Sequence, residues 1–151
     1  MEFFPEIHIS ASEAEAIARG LYAVARAEGG VHEREAALIR SFYGEASTDG
    51  SARSLAALEN APDLDPEALA LALGSPELRM LFLKTALLVA WADNNYADAE
   101  RAAIGRYAGA LDVKPEALVS LEQAVKEFLL GQLLHLSDVE STRQGAQKLS
   151  L

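Results

Sequence analysis

The sequence contains no cysteine, few aromatic residues and no long uncharged apolar segment. The absence of cysteine excludes disulfides, thiolate zinc sites and a cysteine nucleophile, and it is typical of a reducing compartment. Aromatic residues make up 7% of the chain although 50% of it is hydrophobic, so the core must consist of Ala, Leu, Val and Ile. Because Ala and Leu favour helices whereas aromatic and β-branched residues favour strands, this composition predicts an all-α fold.

Membrane and export signals are also missing from the sequence. The longest apolar stretch, residues 80–92, contains Lys84 and is shorter than the roughly 20 apolar residues that a helix needs to cross a bilayer. The first residues lack the basic start and long apolar run of a signal peptide. We therefore expect a cytoplasmic protein with no membrane-spanning segment.

Basic residues are the minority charge. The 13 Lys and Arg residues against 23 Asp and Glu residues give a formal net charge of −10, and the basic residues are scattered singly along the chain. Such a charge repels the phosphates of nucleic acids and anionic lipids. We therefore expect neither nucleic-acid nor membrane binding, and we expect cationic partners, either basic protein surfaces or metal ions.

Helix-start and helix-stop signals occur along most of the chain. Ser12-Glu13-Ala14-Glu15 predicts a capping box at the first helix, which Gly29-Gly30 then ends. Asp65-Pro66-Glu67 and Ser75-Pro76-Glu77 each combine a capping side chain, proline at the first helical position and an acid in the first turn. The last predicted helix begins at Pro115 and ends near Leu136.

These signals predict an all-α, single-domain bundle of about seven helices. We expect an extended N-terminal segment over residues 1–9, the helical domain over residues 10–136 and a polar C-terminal tail over residues 137–151. Residues 128–136 are apolar on every side of the last helix. Either the bundle encloses them or they form a homodimer interface, and both interpretations stay open.

Two segments of the chain, residues 25–35 and 90–100, repeat one pattern. Their acidic residues fall in register as three pairs: Glu28 with Asp93, Glu33 with Asp98, and Glu35 with Glu100. Between them lie Gly29-Gly30 and Asn94-Asn95, residue types that tolerate left-handed backbone. The pattern predicts a duplicated unit in which an acidic turn joins two helices.

Two interpretations of these acids remain open. Glu28 and Asp93 stand at predicted helix C-termini, where the helix dipole disfavours negative charge, so they could fold back and cap the next helix. Alternatively, carboxylates of the turns bind a hard cation such as Ca²⁺ or Mg²⁺, although the spacing is not that of an EF-hand. The candidate metal ligands are Asp93, Asp98, Glu100, Glu28, Glu33 and Glu35. Asp98 and Glu100 are two residues apart, so a helix cannot direct both toward one ion.

Residues 86–111, and more weakly residues 21–43, resemble the TerB-like family, which includes the tellurite-resistance protein TerB and the N-terminal region of DjlA-type co-chaperones. Family members are similar in an all-helical fold with an Asp-Gly turn, a hydrophobic residue and a Glu early in the next helix. Asp93, Tyr96 and Glu100 occupy those places. Asn94 stands where the family has glycine, and Ala97 stands where a Ser or Thr cap is common.

The resemblance implies the family fold over most of residues 10–136. It also implies a role linked to stress and to tellurite or metal resistance, commonly as a binding module, with the acidic turns suggested as metal sites. These implications come from the family and not from the composition or spacing of this chain.

Catalytic motifs are missing from the sequence. The three histidines, His8, His32 and His135, are far apart, with no His-x-x-x-His pair for a catalytic zinc ion. There is neither a glycine-rich phosphate loop nor a nucleophile elbow. We therefore expect a non-enzymatic binding module that presents its acidic turns to a basic protein partner or a cation. The alternative is a divalent-metal-binding protein or a metal-dependent enzyme that uses the same turns.

Overall fold

A computed structural model of the chain describes residues 9–46, 55–92 and 96–149. Within its helices, the side chains of residues 28, 45, 46, 55 and 133–149 lie outside the described ranges. No strand occurs among the described residues, and the predicted all-α bundle is confirmed. Seven α-helices follow one another there: α1 Ala11–Ala25, α2 Glu33–Ala46, α3 Leu55–Glu59, α4 Pro66–Ala72, α5 Pro76–Ala90, α6 Asp98–Ala110 and α7 Pro115–Leu149.

The start of α1 is a capping box two residues before the predicted one. The Ser10 hydroxyl accepts a hydrogen bond from the Glu13 backbone N–H at 3.2 Å, and the Glu13 carboxylate accepts one from the Ser10 N–H at 2.9 Å. The chain contains two overlapping Ser-x-x-Glu sequences, and the prediction chose the later one, which begins at Ser12. That choice was wrong because Ser10 already has the extended backbone of a cap, and α1 begins immediately after it.

The central helix of the bundle is α5, whose side chains are buried on nearly all sides. Ser75 caps it as predicted, by accepting a hydrogen bond from the Leu78 N–H at 3.2 Å. Asp65 precedes α4 in the same way, but its side chain makes no capping hydrogen bond, so that prediction was wrong. The neighbouring Glu67 side chain instead raises the pKa of Asp65.

A close approach between α1 and α5 occurs at Gly20. A Cβ atom at this position would lie 2.7 Å from Cε2 of Phe82, a distance that real Cβ atoms essentially never show. Phe82 is fully buried, and its ring meets the Tyr107 ring of α6 edge to face, with 5.3 Å between the centroids. Glycine at position 20 therefore allows α1 to pack directly on the central aromatic pair.

The Arg79 side chain joins the ends of two other helices to the first turn of α5. Its Nε donates to the Leu73 carbonyl at 2.8 Å, and one terminal nitrogen donates to the Ala70 carbonyl at 3.1 Å, both at the end of α4. The other terminal nitrogen donates to the Leu111 carbonyl at 3.1 Å, at the end of α6. The last carbonyls of a helix lack intrahelical partners and carry the negative end of its dipole, so one guanidinium satisfies both ends.

Helix α7 packs on α5 and α6 through its first half. Leu121 and Val125 are buried, Phe128 and Leu129 pack partly against the core, and Leu130 is 49% exposed. The helix continues to Leu149, beyond the end predicted near Leu136. The side chains after residue 132 lie outside the described ranges, so a homodimer through residues 128–136 stays a prediction. No helix in the described portion of the chain is long and apolar enough to cross a membrane.

The two predicted repeats have helices with matching ends. α1 and α5 each contain 15 residues, and each follows a serine cap. The offset between Ser10 and Ser75 equals that between Ala25 and Ala90 and that between the first residues of α2 and α6. The duplication stays a prediction because residues 93–95, at the centre of the second turn, lie outside the described residues.

We predict that Arg79→Lys destabilises the fold by about 1–2 kcal/mol and Arg79→Met by more. Lysine keeps the charge, but its single nitrogen cannot reach both helix ends, and each lost hydrogen bond from a charged group costs about 1 kcal/mol or more. Urea unfolding followed by circular dichroism measures the change. The control is Arg34→Lys, at an exposed arginine of α2. Equal stabilities of the two lysine variants would contradict the role assigned to Arg79.

Candidate functional site

Two of the predicted site acids, Glu35 and Glu100, are buried inside the bundle. They are 1% and 2% exposed. The Glu35 carboxylate accepts a hydrogen bond from the His32 N–H at 3.0 Å, and that of Glu100 accepts one from the Ala97 N–H at 3.1 Å. Each glutamate therefore reaches back to the backbone just before its own helix, which is the return half of a capping box.

The Glu35 carboxylate is satisfied on one oxygen only. Its Oε2 atom is buried and has no hydrogen-bond partner among the described residues. A buried acceptor without a partner costs about 1–3 kcal/mol. This oxygen is therefore a position at which a donor or a cation would be favourable.

The other two described acids of the turns lie on the surface. The Glu33 side chain is 84% exposed and pairs with Arg40 at 2.7 Å, and Asp98 is exposed. Glu33 and Glu35 thus differ in burial, as Asp98 and Glu100 do, in agreement with the opposite directions that a two-residue spacing predicts.

Glu28 and Asp93 cannot be assigned to either interpretation. Asp93 lies outside the described residues, as does the side chain of Glu28. The described residues contain no group of three or more His, Asp or Glu side chains that could hold a metal ion. The six-residue metal site therefore stays a prediction. Of its four members whose side chains the structure describes, Glu35 and Glu100 are caps, and the other pair are surface acids.

The first acidic turn packs against α6, the helix that follows the second turn. The short 3-10 helix of the first turn, Arg26–Glu28, follows α1 directly and contacts α6. Ala27 from the first turn and Ala99 from the start of α6 line the same groove. The sequence did not indicate this contact, because it depends on how the two hairpins pack.

We call this groove the hairpin groove. It has a volume of about 490 Å³, within the range of small-ligand sites. Its walls are the end of α1 with the 3-10 helix, one face of α6, and the linker between α3 and α4. The lining residues are Ala23, Arg26, Ala27, Asp63, Leu64, Asp65, Pro66, Ala99, Ala102, Ala103, Arg106 and Tyr107.

Side chains from α1, the 3-10 helix and α6 hold the linker wall in place. Arg26 donates to the Glu59 carbonyl at 2.8 Å and directs two further N–H groups to Oδ1 of Asp63. Arg19 donates to the Pro62 carbonyl at 3.0 Å. The Tyr107 hydroxyl donates to the Leu64 carbonyl. The groove is therefore formed before any ligand arrives.

The electrostatics of the groove are mixed. Burial, followed by the charge of Asp63, raises the pKa of Tyr107 to about 12. Asp65 acts in the same direction, whereas Arg106 and Arg19 oppose the shift. The Asp63 side chain is 59% exposed, and Asp65 is exposed. The groove therefore offers two accessible carboxylates together with arginine donors.

A second polar cluster lies beside the second turn. The Trp91 and Tyr96 rings are 5.3 Å apart, the Arg101 guanidinium lies 4.8 Å from the Tyr96 ring, and Arg101 Nε is 3.4 Å from a Glu122 oxygen. Burial, and then the neighbouring Glu122, raise the pKa of the Tyr96 hydroxyl above its ordinary value. The cluster connects the second turn to α7.

Sequence reasoning missed both the hairpin groove and the Arg101–Glu122 contact. One signal for the groove was present: Ala99, Ala102, Ala103 and Arg106 recur at the spacing of one helix face. Small residues on a helix face indicate close packing as readily as a groove. The pattern alone therefore does not separate the two.

Comparison with protein-family models, with curated proteins and with solved structures finds no match for this chain. The resemblance to the TerB-like family therefore rests on the residues named above. It stays an expectation.

We predict that Glu100→Ala destabilises the fold by about 1–2 kcal/mol, because it removes a capping hydrogen bond that a buried carboxylate accepts. Glu35→Ala should destabilise it by less, because this change also removes the unpartnered Oε2 atom. Glu33→Ala and Asp98→Ala serve as matched controls in the same two helix turns. Since both are on the surface, they should change stability by about 0.5 kcal/mol or less. Urea unfolding checks this, and similar losses at all four positions would contradict the division into caps and surface acids.

Proposed function

We propose that this protein is a non-enzymatic binding module of the TerB-like type, whose acidic surface binds a basic segment of a protein partner. The observation that carries the proposal is the hairpin groove, where accessible carboxylates stand beside a preformed cleft between the first turn, α6 and the linker that joins α3 to α4. The net charge of −10 supports a cationic partner. A role in stress or in tellurite or metal resistance is included in the proposal through the family resemblance alone.

The walls of the groove are already ordered, so a ligand binds here at a lower cost than at a site that becomes ordered only on binding. Ordering a loop on binding costs free energy, and the linker that carries Asp63 and Asp65 is already held by hydrogen bonds from Arg19, Arg26 and Tyr107. Exposed carboxylates at such a site attract a basic partner and orient it as it approaches.

The chemistry of the groove supports binding rather than catalysis. Its lining consists of Ala, Arg, Asp, Leu, Pro and Tyr. The hydroxyl of Tyr107 already donates to a backbone carbonyl, and its pKa is raised to about 12. An effective general base has a pKa near the working pH, so this tyrosine is poorly suited to accept a proton from a substrate.

We predict that the protein binds a fluorescein-labelled peptide of alternating Lys and Ala, and that Asp63→Asn/Asp65→Asn weakens binding about tenfold, or about 1.4 kcal/mol. The loss follows from two removed charges at the groove. Fluorescence anisotropy at fixed ionic strength measures the affinity, and circular dichroism checks the fold.

The control for this experiment is Glu116→Gln/Glu127→Gln, which removes two exposed charges from α7 and leaves the same net charge. We expect it to change the affinity by less than about twofold, since neither residue lines the groove and salt screens exposed charges that are not in contact with a ligand. Equal effects of the two double variants would contradict a localised site, and a wild type that does not bind the peptide would contradict the proposal itself.

A second candidate function is divalent-metal binding, or metal-dependent catalysis, at the acidic turns. The observation in its favour is the buried Oε2 atom of Glu35, which lacks a partner among the described residues. A hard cation such as Ca²⁺ or Mg²⁺ prefers oxygen ligands of this kind. Glu28, Asp93 and Glu100 would supply further oxygens, whereas Glu33 and Asp98 lie on the surface and point away from this atom.

On this alternative we expect calorimetric titration with Ca²⁺, Mg²⁺ or Mn²⁺ to give saturable heats. The Glu28→Ala/Asp93→Ala variant should lose them, because it removes the turn carboxylate of each repeat. Asp112→Ala, at an exposed acid that follows α6, should retain them. Flat heats with all three ions would contradict the alternative.

A further inference from the structure

We propose that the hairpin groove binds one lysine of the partner's chain, with the aliphatic stem against the alanines of the helical walls, the ammonium at Asp63 and Asp65, and a neighbouring main-chain carbonyl at Arg106. This inference rests on the proposed function, because it assumes a basic partner. It goes further by stating which side chain enters the groove and which group accompanies it.

The helical walls of the groove suit an aliphatic stem. Five of the lining residues are alanines, contributed by α1, the 3-10 helix and α6: Ala23, Ala27, Ala99, Ala102 and Ala103. Lysine and arginine bury their methylene groups along apolar surface while keeping the charged head at polar groups. A groove lined by both methyl groups and carboxylates provides the surroundings that such a side chain requires.

The Asp63 carboxylate favours an ammonium over a guanidinium. Both Arg26 hydrogen bonds to Asp63 use Oδ1, so a ligand finds Oδ2 as the available oxygen. A guanidinium binds best when both oxygens of one carboxylate are open to it, whereas an ammonium is a compact charge that needs only one.

Arg106 indicates that the ligand also carries a hydrogen-bond acceptor. This residue is exposed at the groove and makes no ion pair or hydrogen bond with another described residue. Its guanidinium offers N–H donors only. A lysine within a peptide supplies a carbonyl acceptor beside its cation, whereas a free polyamine supplies cations alone, so the groove is complementary to the peptide.

Titration of isotope-labelled protein with capped Gly-Lys-Gly, followed by NMR, tests the proposal. We expect saturable shifts at Ala27, Ala99 and Tyr107, and binding at least about fivefold weaker for peptides with norleucine, acetyl-lysine or arginine in place of lysine. Equal binding of the norleucine or arginine peptide overturns the lysine assignment. Equal or tighter binding of spermidine overturns the peptide assignment.

A variant whose groove is filled by a larger side chain tests this inference separately from the proposed function. Ala102→Leu adds an aliphatic side chain at an exposed groove position without changing any charge, and Ala124→Leu makes the same change on the exposed face of α7. We expect the first to weaken both the tripeptide and the alternating Lys and Ala peptide at least about fivefold, and the second less than about twofold.

Two outcomes have different consequences. If Ala102→Leu leaves binding of the longer peptide unchanged while Asp63→Asn/Asp65→Asn weakens it, the inference about the groove is wrong and the proposed function stands. If the wild type binds neither peptide, both proposals fail. Thermal unfolding of both leucine variants checks that they fold as the wild type does.

Discussion

The relative positions of α4, α5 and α6 depend on the hydrogen bonds of the Arg79 guanidinium. α5 is apolar on nearly all sides, so burial alone fixes neither its height nor its direction relative to its neighbours. Hydrogen bonds are directional, and Arg79 makes them to the ends of both α4 and α6. The hydrophobic core therefore holds these helices together, and one partly buried side chain sets where α4 and α6 end relative to the start of α5.

The hairpin groove likewise depends on both apolar packing and hydrogen bonds that fix the position of one element. The linker between α3 and α4 packs Leu64 against the core. Its backbone and Asp63 carboxylate are also held by hydrogen bonds from Arg19, Arg26 and Tyr107. Short side chains on the opposite walls leave the space between these elements unfilled. A cleft of this kind is a consequence of how the linker is held, and the same hydrogen bonds place Asp63 and Asp65 at its edge.

The elements of the fold that local chemistry determines could be predicted. Pro76 and Pro115 mark helix starts, and the chain itself encodes such starts within a few residues. The predicted cap of α1 was placed at Ser12 and not at Ser10, because the sequence contains two overlapping Ser-x-x-Glu signals. The groove could not be predicted, because it depends on contacts such as that between Tyr107 and Leu64, which are 43 residues apart. Nothing in a local pattern indicates which distant carbonyl a side chain will reach.

Gly20 has a consequence that extends beyond the packing of α1. Its missing side chain lets α1 rest on Phe82, Phe82 meets Tyr107 edge to face, and Tyr107 lines the groove and holds the linker. These contacts form a continuous series from the backbone of α1 to the linker wall of the groove. A methyl group added at position 20 would displace the Phe82 ring or α1. The width of the hairpin groove would then change because of a substitution in the interior.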